Sequence, residues 1–211
     1  WDISQEDQGH EVKAEELAKM MLALQDGGCH NINLVTPTHV VPQILEALVL
    51  AREEGLSVPL VYNSGGYDSA EALRLLDGII DIYMPDAKYG SDGPAQKYSA
   101  APGYTTVMKA ALKEMHRQVG DLEMDDEGIA LQGLLVRHLV LPAGAAGTEE
   151  VVRFISQEIS VHTYLNVMAQ YHPEYQACRY PELSRAITAR EYAQALHLAA
   201  AAGLVRGLAM L

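Results

Sequence analysis

Asp86 and Lys88 are an acid and a base two residues apart, at the outgoing end of the apolar run Asp81-Ile82-Tyr83-Met84-Pro85. Side chains alternate along an extended backbone, so both project from one side of it. A carboxylate and an ammonium held together in this way suit recognition of a zwitterion or a polar sugar. Pro85 has no N–H to give to a ladder, so regular pairing should weaken just before the pair. Four other short apolar runs also finish in polar residues. Ile32–Val35 leads into Thr36, Thr38 and His39, and Pro59–Tyr62 into Asn63, Ser64 and Gly65. Leu134–Leu141 is interrupted by Arg137 and His138, and Thr163–Val167 runs out into Gln170, Tyr171 and His172. A lone Thr or Asn at such a place usually caps the next helix, and a lone Lys or Arg is usually solvated. Arg137 inside an apolar strand says more, because an unpartnered buried guanidinium is costly.

Between these runs the period changes from two to 3.6. Leu17, Met20, Met21 and Leu24 mark a helix that Gly27-Gly28 ends. Ile44, Leu45, Leu48 and Val49 mark a second, with Pro42 in its first turn, where a missing N–H costs little. Asp68 with Glu71 has the spacing of a capping box for a short helix through Leu73, Leu75 and Leu76. A Gly-, Pro- and Ser-rich loop is expected over 90–103, then a helix with Met108, Leu112, Met115 and Val119 on one face. Asp125-Asp126-Glu127-Gly128 reads as a turn, and Thr148 as the cap of a helix with acids in its first turn. Thr188 with Glu191 is a second capping box, opening a helix that ends near Gly203 or Gly207. One helix followed by five β-α alternations argues for a parallel sheet, either a barrel or a doubly wound sheet, in a single α/β domain over 1–211. In both architectures ligands sit at the carboxyl ends of the strands, so the five polar ends should converge on one rim.

Composition narrows the function. Apolar residues make up 49% of the chain, so it must bury a core. The net charge of −13 argues against a nucleic-acid backbone as partner, and no apolar run approaches the ~18 residues of a membrane span. Cys29 and Cys178 lie far apart without metal-type spacing, pointing to a reducing, cytoplasmic compartment and ordinary buried thiols. His39, His138 and His172 could meet at the rim, but there is no HxH or HExxH, so zinc is a minority reading. A phosphate-binding P-loop, a GxGxxG turn and a nucleophile elbow are all absent.

Several segments together resemble a known family: 28–39 (Gly-Cys-His-Asn-Ile-Asn-Leu-Val-Thr-Pro-Thr-His), Tyr62-Asn63-Ser64-Gly65-Gly66-Tyr67, Asp81–Tyr89, Val136-Arg137-His138-Leu139-Val140-Leu141-Pro142, and 166–173. The sequence is similar to the radical S-adenosylmethionine (SAM) proteins described as pyruvate formate-lyase activating enzyme-like, over essentially its whole length. The resemblance implies a partial (β/α)6 barrel, here with about five parallel strands. It also implies reductive cleavage of SAM to a 5′-deoxyadenosyl radical for hydrogen abstraction. In that family Trp1-Asp2-Ile3-Ser4-Gln5 would follow a CxxxCxxC loop that holds a [4Fe-4S] cluster. Neither Cys29 nor Cys178 can replace those three thiolates, so a truncated, inactive piece of a longer enzyme is expected. A sheet edge left open by the truncation is expected to be covered by residues 1–12 or by a neighbouring molecule. Residue by residue, Thr36, Thr38 and His39 stand where the family places a Gly-Gly-Glu-type contact to the methionine amino group. Asp86 and Lys88 match its Asp-x-Lys contact, Arg137 and His172 further SAM contacts, and Asn63 and Ser64 the polar end of a strand. Implied partners are a glycyl-radical enzyme or another protein substrate, and a flavodoxin- or ferredoxin-type reductant.

Two other functions fit the residues. A Schiff-base lyase or aldolase could use Lys88 as nucleophile beside Asp86. A non-catalytic SAM- or partner-binding domain would need no cluster at all.

Overall fold

The computed structural model describes residues 9–208. The opening Trp1–Gln5 motif, and most of the 1–12 segment expected to cover a sheet edge, lie outside the described residues. Two compact units divide the chain: 37–58 join the residues before Asn33, and 33–36 join the residues after Val58.

The smaller unit is helical. Helix α1 (Ala14–Asp26) packs against α2 (Val41–Glu53), which is entered through a 3-10 turn, Pro37–His39. Pro42 sits in the first turn of α2 as expected. The buried stripe of α1 is narrower than its sequence suggests. Ala18 and Met21 are buried, whereas Met20 and Leu24 are 52% and 48% exposed. Gln25 closes the unit with its side-chain amide: Oε1 accepts from the Ser57 and Val58 N–H groups at 2.7 and 3.2 Å, and Nε2 donates to the Gly55 carbonyl at 3.2 Å.

The larger unit holds the sheet. Strands β1 (Ile32–Val35), β2 (Leu60–Ser64), β3 (Ile82–Pro85) and β5 (Ala130–Leu139) neighbour one another in that order. Strand β6 (Tyr164–Met168) extends the sheet beside β5, and β4 (Glu123–Met124) joins the early part of β5 antiparallel. The pairs β2–β3, β3–β5 and β5–β6 are parallel, as the β-α alternation requires. Strand β5 begins four residues earlier than its apolar run. The Asp125–Gly128 turn pairs its first residues back onto β4, so polar Gln132 is carried in a hairpin.

Helices α3 (Ala70–Arg74), α4 (Asp92–Ser99), α5 (Tyr104–Val119), α6 (Thr148–Phe154) and α7 (Ala189–Ala201) connect or flank the strands. Met108, Leu112, Met115 and Val119 of α5 are all buried, the stripe expected from their spacing. The capping box of α7 is formed in full, with Thr188 Oγ1 accepting from Glu191 N and the Glu191 carboxylate accepting from Thr188 N.

Four local expectations fail, each for a physical reason. The 90–103 segment contains α4, because Pro94 falls within its first turn, where the donor it lacks is not needed. Ser69, not Asp68, caps α3, and the Asp68 carboxylate is withdrawn into the interior. Gly147 precedes α6 in a left-handed conformation, which frees the Thr148 hydroxyl for another partner. Cys29 and Cys178 are both exposed, since each lies in a connecting segment rather than on an apolar face.

Candidate functional site

Burial alternates along β3 and beyond it. Ile82, Met84, Asp86 and Lys88 share one face, as period two dictates. On β5, Leu135, Arg137 and Leu139 share the corresponding face, while Leu134, Val136 and His138 are buried on the other. Deep on this inner face the sheet is apolar: Val61, Ile82 and Leu122 cluster with Met84, Leu135 and Tyr164 packed on them. Towards the strand ends it turns polar, and there a cleft of about 630 Å³ opens, floored by Asp86, Lys88 and Arg137. Small-molecule sites commonly span ~300–1,000 Å³.

Arg137 Nη2 lies 2.7 Å from Asp86 Oδ1, and it donates to Asn63 Oδ1 at 2.8 Å. Lys88 Nζ pairs with the other Asp86 oxygen, Oδ2. The floor therefore has two cations for one acid, a local positive excess in a chain of net charge −13. Its hydrogen bonding is incomplete. The guanidinium does not aim an N–H at Asp86 Oδ1, so that contact is an ion pair without a formed hydrogen bond. Asp86 Oδ1 and Arg137 Nε are both buried without a hydrogen-bond partner. Such deficits cost ~1–3 kcal/mol each until they are filled.

Backbone contacts hold the floor in place. Asp86 N donates to Ser64 O at 3.0 Å, Ala87 N to Arg137 O at 2.8 Å, and Gly90 N to Ala146 O at 2.8 Å, so the ladder continues past the regular strands. Gly66, at φ +73°, lies against Asp86: a Cβ there would stand 2.1 Å from the Asp86 carbonyl oxygen. Only glycine fits that approach. Tyr104 reaches in from α5, where its hydroxyl accepts from Lys88 N at 2.8 Å and donates to Asp86 O at 3.3 Å. Burial pushes the Tyr104 phenol well above its ordinary range, so it remains a neutral donor.

Behind the floor lies a second polar group. Asp68 is buried and accepts from Ser64 Oγ at 2.6 Å and from Tyr62 OH at 3.1 Å, while Ser64 Oγ also accepts from Gly66 N at 3.2 Å. Ser64 is thus turned towards Asp68 and supports the Gly65-Gly66 turn. His138 is fully buried on the opposite face of β5, with Nδ1 2.6 Å from the Ala87 carbonyl and Nε2 2.9 Å from Thr148 Oγ1. A carbonyl can only accept, so Nδ1 carries the proton and Nε2 accepts from the Thr148 hydroxyl. Burial lowers the His138 pKa, against smaller opposing effects of the Ala87 bond and the Asp86 charge.

The far wall comes from the segment after β6, where Gln170, Tyr171, His172 and Glu174 line the cleft, with Leu139 and Met168 as its apolar part. Gln170 and His172 are exposed, while Tyr171 is half-buried and its hydroxyl donates to Leu183 O at 2.8 Å.

Of the residues singled out from sequence, Asp86, Lys88, Arg137 and His172 line one cleft, with Gln170 and Tyr171. Asn63 is buried beneath it as a partner of Arg137. Thr36 follows β1 at φ +52° and is exposed, with its N–H donating to Asn63 O at 2.7 Å. Thr38 and His39 belong to the 3-10 turn of the smaller unit and are exposed there. His138 is taken up by Ala87 and Thr148. Among the described residues no group of three or more His, Cys, Asp or Glu is placed to hold a metal ion. With Cys29 and Cys178 as its two cysteines, the given sequence does not supply the three thiolates of a [4Fe-4S] cluster. Sequence reasoning missed Leu139, Met168 and Glu174. Period two from Arg137 would have found Leu139, but Glu174 follows Pro173 in an aperiodic segment that carries no signal.

No protein-family model matches the sequence. An uncharacterized protein of Methanocaldococcus jannaschii, MJ0674, is 32% identical over 188 residues, which are 88% of this chain and 50% of the relative. The chain spans about half the length of the curated relative it matches. Among solved structures it resembles HydG, a maturase of the [FeFe]-hydrogenase, with a TM-score of 0.62 and 11% identity, over 96% of this chain and 46% of HydG. The fold is α/β, a mostly parallel sheet with flanking helices, like that of HydG over nearly all of this chain. That agrees with the fold class expected from the β-α alternation; at this identity the likeness concerns the fold alone. No helix among the described residues is long and apolar enough to cross a membrane.

Proposed function

We propose that this chain is the SAM-binding part of a radical SAM enzyme, and that the floor of the cleft receives the methionine moiety. The observation that carries the reading is one acid and two cations lining a single cleft: Asp86, paired with both Lys88 and Arg137. An amino-acid zwitterion brings one group of each kind. Its ammonium would go to Asp86 and its carboxylate to Arg137 and Lys88, as charge-assisted contacts in a partly desolvated site. Leu139 and Met168 offer apolar surface beside the floor for the rest of the ligand. With one electron from a reduced [4Fe-4S] cluster, for which this chain lacks the three thiolates, SAM held here would yield methionine and a 5′-deoxyadenosyl radical. The residues of this chain would bind and orient it and keep water from its methionine end. The physiological substrate proposed from the resemblance is a glycyl-radical enzyme.

A Schiff-base role for Lys88 has less support, because Nζ is ion-paired with Asp86 instead of lying free in an apolar pocket. Titration calorimetry of the purified chain with SAM tests the proposal. Saturable binding that is lost in Asp86→Asn and weakened in Arg137→Met is expected. A folded chain that shows no heat of binding at millimolar SAM would overturn it.

A further inference from the structure

The cleft has a fixed floor and a wall without regular structure, so what holds the wall matters. The wall residues Gln170–Glu174 lie in a segment whose only helical pieces are the 3-10 turns Ala177–Arg179 and Pro181–Leu183. Its Pro181–Leu183 turn packs on the Pro142–Gly144 turn, and its side-chain attachment is to α4, the helix that follows Lys88. Glu182 Oε1 lies 2.5 Å from Lys97 Nζ and accepts from Tyr98 OH at 2.7 Å. Tyr180 OH donates to the Lys97 carbonyl at 2.9 Å, and the Tyr98 and Tyr180 rings meet edge to face at 5.0 Å. Lys97 Nζ stands 4.9 Å and 5.4 Å from those two ring centres, so the ammonium is shared between a carboxylate and two aromatic faces. From this cluster the connection to the wall is short. Leu183, next to Glu182, is buried, and its carbonyl accepts the hydrogen bond from Tyr171, which lines the cleft.

We propose that Glu182, with Lys97 and Tyr98, is a positioning residue of the cleft: it pins the segment after β6 to α4 and, through Leu183 and Tyr171, sets the wall opposite Asp86 and Arg137. Lys97, Tyr98 and Glu182 do not line the cleft themselves. Their bonds join two parts of the chain about 85 residues apart, so they fix a distance that local structure does not. Lys97 and Tyr98 hold the Glu182 carboxyl down to about 2, which keeps the latch charged at every ordinary pH.

That this wall meets SAM rests on the reading above, whereas the latch itself does not. Hydrogen–deuterium exchange of the whole chain, compared among wild type, Glu182→Gln, Lys97→Met and the charge-swapped double variant Lys97→Glu/Glu182→Lys, separates the two. The pair is partly exposed, so each single variant should speed exchange at the hydrogen-bonded amides of Ala177, Arg179, Tyr180 and Leu183 by about three- to tenfold. Exchange along α5 should be unchanged. The swap should restore slow exchange, which a general loss of stability would not do. SAM affinity, where wild type binds, should fall by a similar factor through faster dissociation and recover in the swap. Wild-type exchange of the wall in both single variants would overturn the proposal, as would faster exchange with unchanged SAM affinity. A wild type that binds no SAM would remove the proposed function and leave the exchange of the wall to decide the latch.

Discussion

Replacing Arg137 by methionine tests the floor most directly, because it removes the guanidinium and keeps most of the apolar stem. In the wild type Arg137 serves two groups, Asp86 Oδ1 at 2.7 Å and Asn63 Oδ1 at 2.8 Å. Breaking one side of a fully buried ion pair costs ~3–5 kcal/mol, and an exposed pair is worth ~0–1 kcal/mol. Here the side chains are 24% and 13% exposed, and Lys88 still neutralises Asp86 from the other oxygen. The loss therefore lies between those limits, at about 2 kcal/mol. Stranding the buried Asn63 oxygen adds about 1 kcal/mol. With a urea dependence of about 2 kcal/mol per molar, the sum of about 3 kcal/mol moves the unfolding midpoint down by about 1.5 M. The assay is equilibrium urea unfolding followed by circular dichroism. Arg137→Lys should recover part of the loss, since an ammonium reaches Asp86 or Asn63 but not both in a fork. Asp86→Asn in the Arg137→Met background should cost less than it does alone. A midpoint shift below about 0.25 M would refute the reasoning, by showing that water already satisfies the pair.

Three further variants have definite expected outcomes. Gly66→Ala should destabilise by more than about 2 kcal/mol and abolish SAM binding, because the new Cβ meets the Asp86 carbonyl oxygen at 2.1 Å. Gly78→Ala, at a similar φ of +76° but with nothing within 4 Å of its Cβ, should cost only about 1 kcal/mol in the same urea unfolding. For His138 the folded pKa lies below the unfolded one, so the unfolded chain binds the extra proton. Stability should be fully present above the unfolded value near ~6.5 and fall as pH drops below it. His138→Gln should flatten that part of the stability–pH curve; an unchanged slope would assign it to other groups.

Much of the site was legible because strand geometry is. Period two put Asp86 beside Lys88, and an arginine in an apolar strand announced a partner, found as Asp86 and Asn63. The larger frame followed from the alternation of β and α periods. What escaped depends on contacts made at a distance in sequence. Asp68 has the spacing of a cap, but Tyr62 and Ser64 drew it inside, and Ser69 could cap α3 in its place. Thr148 likewise became the first residue of α6 and gave its hydroxyl to His138, which the sequence offered only as a strand-end histidine. Cys178 and Glu174 sit in a segment with no period to read, and their exposure there is set by how that segment is tied down.

The stitching of Asp86, Ala87 and Gly90 to three neighbouring segments has a thermodynamic consequence. A ligand arriving at this floor finds its charged groups already at fixed separations, so it bears little of the cost of ordering them. Affinity at the floor then depends on how well the ligand's own charges match that spacing. A molecule whose charges are spaced differently would have to be followed by the half-exposed Lys88 side chain, since Asp86 and Arg137 are mostly buried and paired.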